Sequence, residues 1–352
     1  MAGVRWLLVA IPVSWVLAWL GAPALAVFAA AGLAVVPLAA EMGVATEVLA
    51  ARTGAATGGL LNATFGNAAE LIVAVVALRA GLVDLVKASL IGSILGNLLL
   101  ILGLALVAGG VTRPTITFNR ATAGTGGAML LLAVVGLVVP ALFAQAHPAA
   151  APEIALHLSE GVALLLGLTY ALSLVFSLVT HRQLFGGEPE GHPAPPSYGS
   201  GVAVGVLCAA TALVALESEI LVHATEAVVT RVGLSELFLG LIVIPLIGNA
   251  AEHATAVVVA RRGHTDLALH IALGSSTQVA LLVAPLLVGV GALMGRPMNL
   301  IFTTFEVVAL GLAALIVTII GLDGSHTGSR GPSCSPCTPC SRSRCCLFDT
   351  RG

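Results

Sequence analysis

The chain has 352 residues, of which 58% are apolar and only 9% are charged, and its formal net charge is −2. Its mean hydropathy is +1.05, whereas ordinary soluble domains carry about 25% charged residues. A soluble fold of this length could not bury so much apolar surface. The composition therefore predicts an all-α polytopic membrane protein. Arg261 and Arg262 form the only basic cluster in the sequence, which argues against a nucleic-acid partner.

Apolar stretches long enough to cross a hydrocarbon core of roughly 30 Å recur along the whole chain. The first lacks a small-residue cleavage site and is followed by many others, so we interpret it as a transmembrane helix and not a signal peptide. The stretch from Arg182 to Ser200 is rich in proline, glycine and charge, which predicts an exposed linker. The predicted helices are 4–21, 24–42, 57–79, 84–108, 121–143, 158–181, 200–221, 235–260, 266–293 and 300–322.

The basic residues near the ends of these predicted helices indicate an orientation. Seven arginines fall on the side of the N-terminus and four basic residues on the other, which favours a cytoplasmic N-terminus. The first group is Arg5, Arg52, Arg113, Arg120, Arg182, Arg261 and Arg262, and the second is Arg79, Lys87, Arg231 and Arg296.

A short motif occurs twice in the chain. GNAAE spans residues 66–70 and again 248–252, an offset of 182. The same offset relates two further glycine pairs, Gly58 with Gly240 and Gly92 with Gly274. Three matches in register indicate an internal duplication. Because the motifs lie in the third and eighth predicted helices, five apart, the two halves have opposite orientations, and such inverted repeats are typical of secondary transporters.

The motif places a carboxylate inside an apolar helix, where an ionised group costs several kcal/mol unless it is paired or hydrated. If the halves pack face to face, Glu70 and Glu252 meet near the pseudo-twofold axis. Two carboxylates with carbonyl and amide oxygens suit a hard divalent cation such as Ca2+. Asn67 and Asn249 precede these acids by three residues, so we expect them to share the same helix face and supply amide oxygens. The motif glycines allow the helix to unwind locally, which would either free carbonyls for the ion or allow close helix packing.

Two close carboxylates in a low-dielectric site also bind protons, so protons and Ca2+ are expected to compete for the same oxygens. His253 follows the second motif and is either a proton relay or a hydrogen-bonding partner of a neighbouring helix. The polar residues of the following helices either line the cavity or only bridge helices; they are Ser93, Asn97, Ser275 and Gln278.

Further acids lie in or near apolar spans: Glu47, Glu217, Glu219 and Glu306. Each is placed either on the path of the ion or at a helix end in the membrane interface. For Glu217 the position at a helix end is favoured.

Two longer segments carry a family resemblance. GGLLNATFGNAAELIVAVVALRAGL and SELFLGLIVIPLIGNAAEHATAVVVA resemble the two conserved regions of bacterial Ca2+/H+ antiporters, the CAX branch of the cation/Ca2+ exchanger superfamily. The resemblance covers about residues 20 to 322. Na+/Ca2+ exchangers typically carry a GTS-x-PE motif in place of GNAAE, so the chain resembles the proton-coupled branch.

The resemblance implies eleven helices, one extra N-terminal helix plus two inverted five-helix repeats. It implies that Glu70 and Glu252 bind the cation and exchange protons, with Asn67 and Asn249 beside them. It further implies a transporter and not an enzyme, without a cofactor, that exports cytosolic Ca2+ across the bacterial cytoplasmic membrane in exchange for protons by alternating access. The alternatives are an antiporter of the same fold for Na+, K+ or Mn2+, a passive cation channel, and a membrane scaffold that does not transport.

The predicted domains are an extra helix at 1–22, a first repeat at 23–182, a linker at 183–199, an incomplete second repeat at 200–323 and an aberrant tail at 324–352. The resemblance places an eleventh helix where the tail begins. The tail holds five of the six cysteines, and their C-x2-C-x2-C spacing could indicate a metal site. We favour a shifted reading frame from Thr327, because suitable codons read in another frame encode an apolar helix. Sequencing the DNA tests this hypothesis.

Overall fold

The computed structural model describes residues 5–53, 55–111, 113, 115–117, 120–149, 151–180, 198–323 and 325–327. The helices are α1 (Arg5–Trp19), α2 (Ala24–Thr53), α3 (Ala55–Phe65), α4 (Ala68–Arg79), α5 (Val83–Gly110), α6 (Arg120–Ala146), α7 (Pro152–Thr180), α8 (Ser200–Val232), α9 (Glu236–Gly248), α10 (Ala250–Arg262), α11 (Thr265–Leu293) and α12 (Thr304–Asp323). Two short strands, β1 (Thr115–Thr117) and β2 (Ser325–Thr327), pair antiparallel.

Within the described residues, seven helices are long and apolar enough to cross a membrane, namely α2, α5, α6, α7, α8, α11 and α12. The bent pair α9 and α10 makes an eighth span. Many large apolar side chains point outward, such as Leu164, which is 74% exposed, and Leu165, which is 63% exposed. A bilayer would cover these side chains, so the chain is a polytopic membrane protein.

Both motif helices are broken where the motif begins. α9 and α10 meet at Asn249 with a bend of 61°, and α3 and α4 are separated by a turn at Gly66 and Asn67. Asn67 has φ −107° and ψ 21°, and Asn249 has φ −96° and ψ 4°. Neither is inside an α-helix, so the prediction that they share a helical face with the motif acids is wrong. Glycine and asparagine are poor helix formers, and their succession ends the first half of each span.

The two halves of the fold are inverted repeats. Because α9 and α10 together form one span, the chain crosses four spans between the motif helices, namely α5, α6, α7 and α8, so α4 and α10 run in opposite directions. π-helical turns interrupt α5 at Gly96–Ile101 and α11 at Val279–Val283, positions that the repeat offset relates to each other. Such turns are rare and occur often at functional sites. These two follow directly after residues that contact the motif.

Several helices extend further than the sequence predicts. α2 continues to Thr53 instead of ending at 42, and α8 continues to Val232 instead of 221. The sequence predicts that each of these helices ends next to an acid, and in the structure both acids form ion pairs. Glu41 accepts a hydrogen bond of 2.7 Å from Arg5, and Glu219 is paired with Arg79. Paired charges no longer oppose a helix that continues through the membrane interface.

The linker and the cysteine-rich tail lie almost wholly outside the described residues, which end before 181, resume at 198 and include only 325–327 of the tail. The exposed linker, the absent eleventh helix and the shifted reading frame therefore stay predictions.

Candidate cation-binding site

Each motif acid lies in the first turn of its helix. Glu70 follows the break at the start of α4, and Glu252 follows the break at the start of α10. The free backbone N–H groups and the dipole of a helix N-terminus favour a negative charge there. The break that glycine and asparagine cause thus places both carboxyl groups where the helix helps to stabilise them.

Glu70 is held by residues from both halves of the chain. Its Oε1 accepts hydrogen bonds from Ser93 Oγ, at 2.5 Å, and from Asn249 Nδ2. The second donor belongs to the other copy of the motif. Gly248 makes the approach possible, because a Cβ at this position would lie 3.0 Å from Glu70 Cγ. The sequence alone selects Glu70 and Asn249. It has no signal to decide whether Gly248 unwinds the helix or allows a close contact.

The second half of the network surrounds Asn67. Its Nδ2 donates to Gln278 Oε1 at 2.7 Å, and its Oδ1 accepts from Ser275 Oγ at 3.1 Å. Asn97 Nδ2 donates to Ser275 Oγ at 3.0 Å. The four residues predicted to line a cavity or bridge helices all belong to this network.

The network is not symmetric, although the repeat is. Asn249 donates to Glu70 of the other repeat, whereas the equivalent Asn67 donates to Gln278 and not to Glu252. The repeat offset explains the difference, because the counterpart of Gln278 in the first half is Gly96, which has no side chain to accept a hydrogen bond. The two motif carboxyls therefore have different donors.

Each motif carboxyl keeps one oxygen without a protein donor. Among the described residues, neither Glu70 Oε2 nor Glu252 Oε2 makes a hydrogen bond, although both atoms are buried. The two carboxyls are close enough to interact electrostatically. A buried polar atom without a partner is costly. These oxygens are therefore suited to accept a cation or to carry a proton.

The neighbourhood of Glu70 has room for only a small particle. A cavity of about 20 Å3 adjoins the carboxyl and is lined also by Ser89, Ser93 and Gly248. One water-sized particle needs about 10–15 Å3. The rest of the lining is apolar: Val73, Leu221, Ile244 and Ile247.

The helices that flank the site are packed differently on its two sides. α9 lies directly on α5, where a Cβ at Gly92 would come within 2.2 Å of Leu241 O and a Cβ at Gly240 within 2.7 Å of Leu85 O. The inverted counterpart is the contact of α3 with α11. There, no described atom lies within 4 Å of a Cβ built on Gly274.

α3 packs against α2 instead, as shown by Gly58, whose Cβ would lie 2.4 Å from Ala50 O. The site is thus covered by closely packed glycine-bearing helices on the α9 side, and the described residues show no equivalent contact at Gly274 on the α3 side.

The remaining candidate residues differ from one another. His253 is buried, and in the described structure neither of its ring nitrogens has a hydrogen-bond partner, so its relay role stays a prediction. Glu306 lies at the start of α12, where its carboxylate accepts from the backbone N–H and the hydroxyl of Thr303. Glu47 is partly buried in α2.

The placement of Glu217 at a helix end is wrong. The residue is fully buried in the middle of α8 and is hydrogen-bonded to Ser14. The fold buries it because α1 covers this face of α8, a contact between distant parts of the chain that the sequence pattern does not show.

Comparison with known proteins agrees with this geometry. The model of the sodium/calcium exchanger protein family matches residues 23–179 and 202–330. The chain belongs to this family. It is 44% identical to the Ca2+/H+ antiporter of Synechocystis sp. over 92% of each chain. It is 41% identical to the Ca2+/H+ antiporter of Aphanothece halophytica over 92% of this chain and 91% of that one.

Among solved structures, native YfkE superposes with a TM-score of 0.78 at 38% identity, covering 90% of this chain and 91% of that one. Both matched segments of the family model contain one copy of the repeated motif. Family membership, two inverted repeats and a helical membrane fold are therefore established for the chain.

Proposed function

We propose that this protein is a secondary active transporter that exchanges Ca2+ for protons. The observation that carries the proposal is the buried network in which two copies of GNAAE bring Glu70 and Glu252 together, each with one unpartnered carboxyl oxygen. The relatives named as Ca2+/H+ antiporters support the same reaction.

The ligand chemistry fits this cargo. Ca2+ prefers six to eight oxygen ligands and tolerates irregular geometry. Carboxylate oxygens of Glu70 and Glu252 and the amide oxygens of Asn67 and Asn249 supply hard donors from both repeats. In the described part of the chain, His, Cys, Asp and Glu residues form no group of three placed to hold a metal. The amide oxygens and water must therefore complete the coordination, as suits Ca2+ better than a softer metal.

Proton coupling follows from competition for the same oxygens. With Ca2+ bound, the two negative charges are neutralised by the cation, and without it they are neutralised by protons. Either form can cross the membrane, whereas a site with two bare carboxylates is costly in a low-dielectric environment. Antiport results because the site changes sides in a loaded form.

The unequal packing of the flanking helices supports alternating access. The α5–α9 contact closes one side, whereas at the inverted position no atom of the described residues lies within 4 Å of a Cβ built on Gly274. With a cytoplasmic N-terminus, α3 lies in the cytoplasmic half of the membrane, so this conformation exposes the site to the cytoplasm. Exchanging the packing of the two halves produces the conformation open to the other side. In a bacterial cytoplasmic membrane, the proton gradient then drives the export of Ca2+.

The test is Ca2+ uptake into inverted membrane vesicles under an imposed acid-inside pH gradient. We expect uptake that a protonophore abolishes and that Glu70→Gln and Glu252→Gln each reduce to background. Glu153→Gln is the matched control, because Glu153 is an exposed acid in the first turn of α7. Uptake that ignores the gradient would indicate a channel. If Na+, K+ or Mn2+ inhibits Ca2+ uptake at a concentration lower than the Ca2+ concentration that saturates uptake, that cation is the cargo instead.

A further inference from the structure

A third acid is buried in the membrane-spanning part of the fold, away from the motif. Glu217 lies in the middle of α8 with a relative exposure of 0%. It is held by α1, the extra helix that precedes the two repeats. Ser14 Oγ lies 2.8 Å from Glu217 Oε2 and 3.1 Å from Oε1.

The number of protons in this contact decides its chemistry. Ser14 Oγ lies 2.7 Å from the carbonyl oxygen of Ile11 as well as close to both carboxyl oxygens. A hydroxyl has one proton to donate, and an ionised carboxylate only accepts. With an ionised Glu217, one proton serves three acceptors. With a protonated Glu217, its O–H donates to Ser14 Oγ and Ser14 donates to the carbonyl oxygen of Ile11, so each proton has one acceptor.

No neighbouring cation offers an alternative. α8 packs against α1, α2 and α4. In the described parts of these helices every basic residue has another partner. Arg5 pairs with Glu41, Arg79 pairs with Glu219, and Arg52 donates to Tyr198 O.

The other acids on these helices cannot compensate an ionised Glu217, because a carboxyl group is either neutral or negative. Glu47 interacts with Tyr198, and Glu70 is held by Ser93 and Asn249. On α8 itself, His223, Glu226 and Arg231 are exposed. An ionised Glu217 would therefore be an uncompensated buried charge, which costs several kcal/mol within a membrane.

We propose that Glu217 is a permanent proton-binding site whose O–H group docks α1 onto α8. Its proton is structural and is distinct from the protons that exchange with Ca2+, so this inference does not depend on the proposed antiport. The site is only one helical turn from Leu221, which lines the cavity beside Glu70. The extra helix thus reaches the neighbourhood of the cation site through a single hydrogen-bonded side chain.

Infrared spectroscopy of the purified full chain tests the proposal, because a protonated carboxyl has a C=O band that a carboxylate lacks. The sample is measured at pH 7 with saturating Ca2+, which displaces protons from the exchanging acids. We expect Glu217→Gln to remove the band intensity of one carboxyl per chain and the matched control Glu219→Gln, a change of an acid two residues away that is paired with Arg79, to remove none. We also expect Glu217→Gln to retain at least half of the wild-type transport, since an amide N–H replaces the O–H donor.

A second variant covers the case in which Glu217→Gln does not fold. Ser14→Ala removes the acceptor of the Glu217 proton, so the band should shift to higher frequency without losing intensity. A spectrum of the wild type without a protonated carboxyl under these conditions overturns the proposal. So does a band that both Glu217→Gln and Ser14→Ala leave unchanged, because it would belong to another acid.

Discussion

Adding one methyl group at Gly92 or at Gly274 should displace the transporter toward opposite conformations. A Cβ at Gly92 would lie 2.2 Å from Leu241 O and 2.7 Å from Pro245 Cγ, whereas ordinary contacts begin at 3.4 Å. The backbone of α9 must therefore move by about 1.2 Å, and overpacking of this kind costs about 1–3 kcal/mol. Gly92→Ala should disfavour the present conformation by that amount, a population change of about 5- to 150-fold.

Gly274 occupies the inverted position. Gly274→Ala meets no described atom within 4 Å in the present conformation. When α3 closes on α11, the repeat offset brings Gly59 to the position that Leu241 has on the other side. The same penalty then falls on the alternate conformation, and Ca2+ exchange should slow by about 5- to 150-fold.

A cysteine in place of Asn62 reports which conformation is present. Asn62 is exposed on α3, and its inverted counterpart Ile244 is buried beside the cation site. We expect a membrane-impermeant maleimide to label Asn62→Cys more slowly in the Gly92→Ala background and at least as fast with Gly274→Ala. Gly289→Ala is the control, because no described atom lies near a Cβ there. Normal exchange by Gly274→Ala would refute the inverted closing contact.

Three further predictions concern individual hydrogen bonds and ion pairs. Gln278→Ala should lower the apparent Ca2+ affinity of uptake by about 2- to 13-fold, because Asn67 loses a hydrogen bond worth about 0.5–1.5 kcal/mol; an unchanged affinity would exclude Asn67 as a ligand that Gln278 positions. Ser159→Ala should destabilise the protein by about 1–3 kcal/mol in thermal unfolding, because the buried N–H of Leu300 donates to Ser159 Oγ; Thr169→Ala, which removes an exposed hydroxyl on the same helix, should have a smaller effect. Glu219→Gln breaks a partly exposed ion pair with Arg79 and should cost less than about 1 kcal/mol, and a larger loss of thermal stability would contradict this view of the pair.

The duplication made much of the site predictable from the sequence. Register alone selects Glu70, Glu252 and their asparagines as candidates, since a carboxylate repeated in inverted halves has few explanations other than a shared site. The break of the motif helices was only partly predictable. Glycine followed by asparagine weakens a helix, but whether it bends depends on the neighbours that take up the freed backbone groups.

The contacts that the sequence could not predict all join distant segments. Glu217 reads as an acid near a helix end until α1 is placed against it, and Gly248 reads as a flexible residue until Glu70 Cγ lies beside it. The unequal roles of Asn67 and Asn249 depend on Gln278, whose counterpart in the repeat is a glycine. Pattern analysis compares positions along the chain, whereas these features arise from the packing of helices more than one hundred residues apart.

The asymmetry of the hydrogen-bond network has a kinetic consequence. Because Gln278 has no counterpart at Gly96, the hydrogen bonds around the proposed cation site differ between the two repeats. The free energy of exchange depends only on the two ion gradients, so this difference cannot change the final distribution of Ca2+ and protons. It changes the rates instead: forward and reverse turnover pass over barriers of different height, and measurements from the two faces of one membrane should yield different half-saturating concentrations for the same ion.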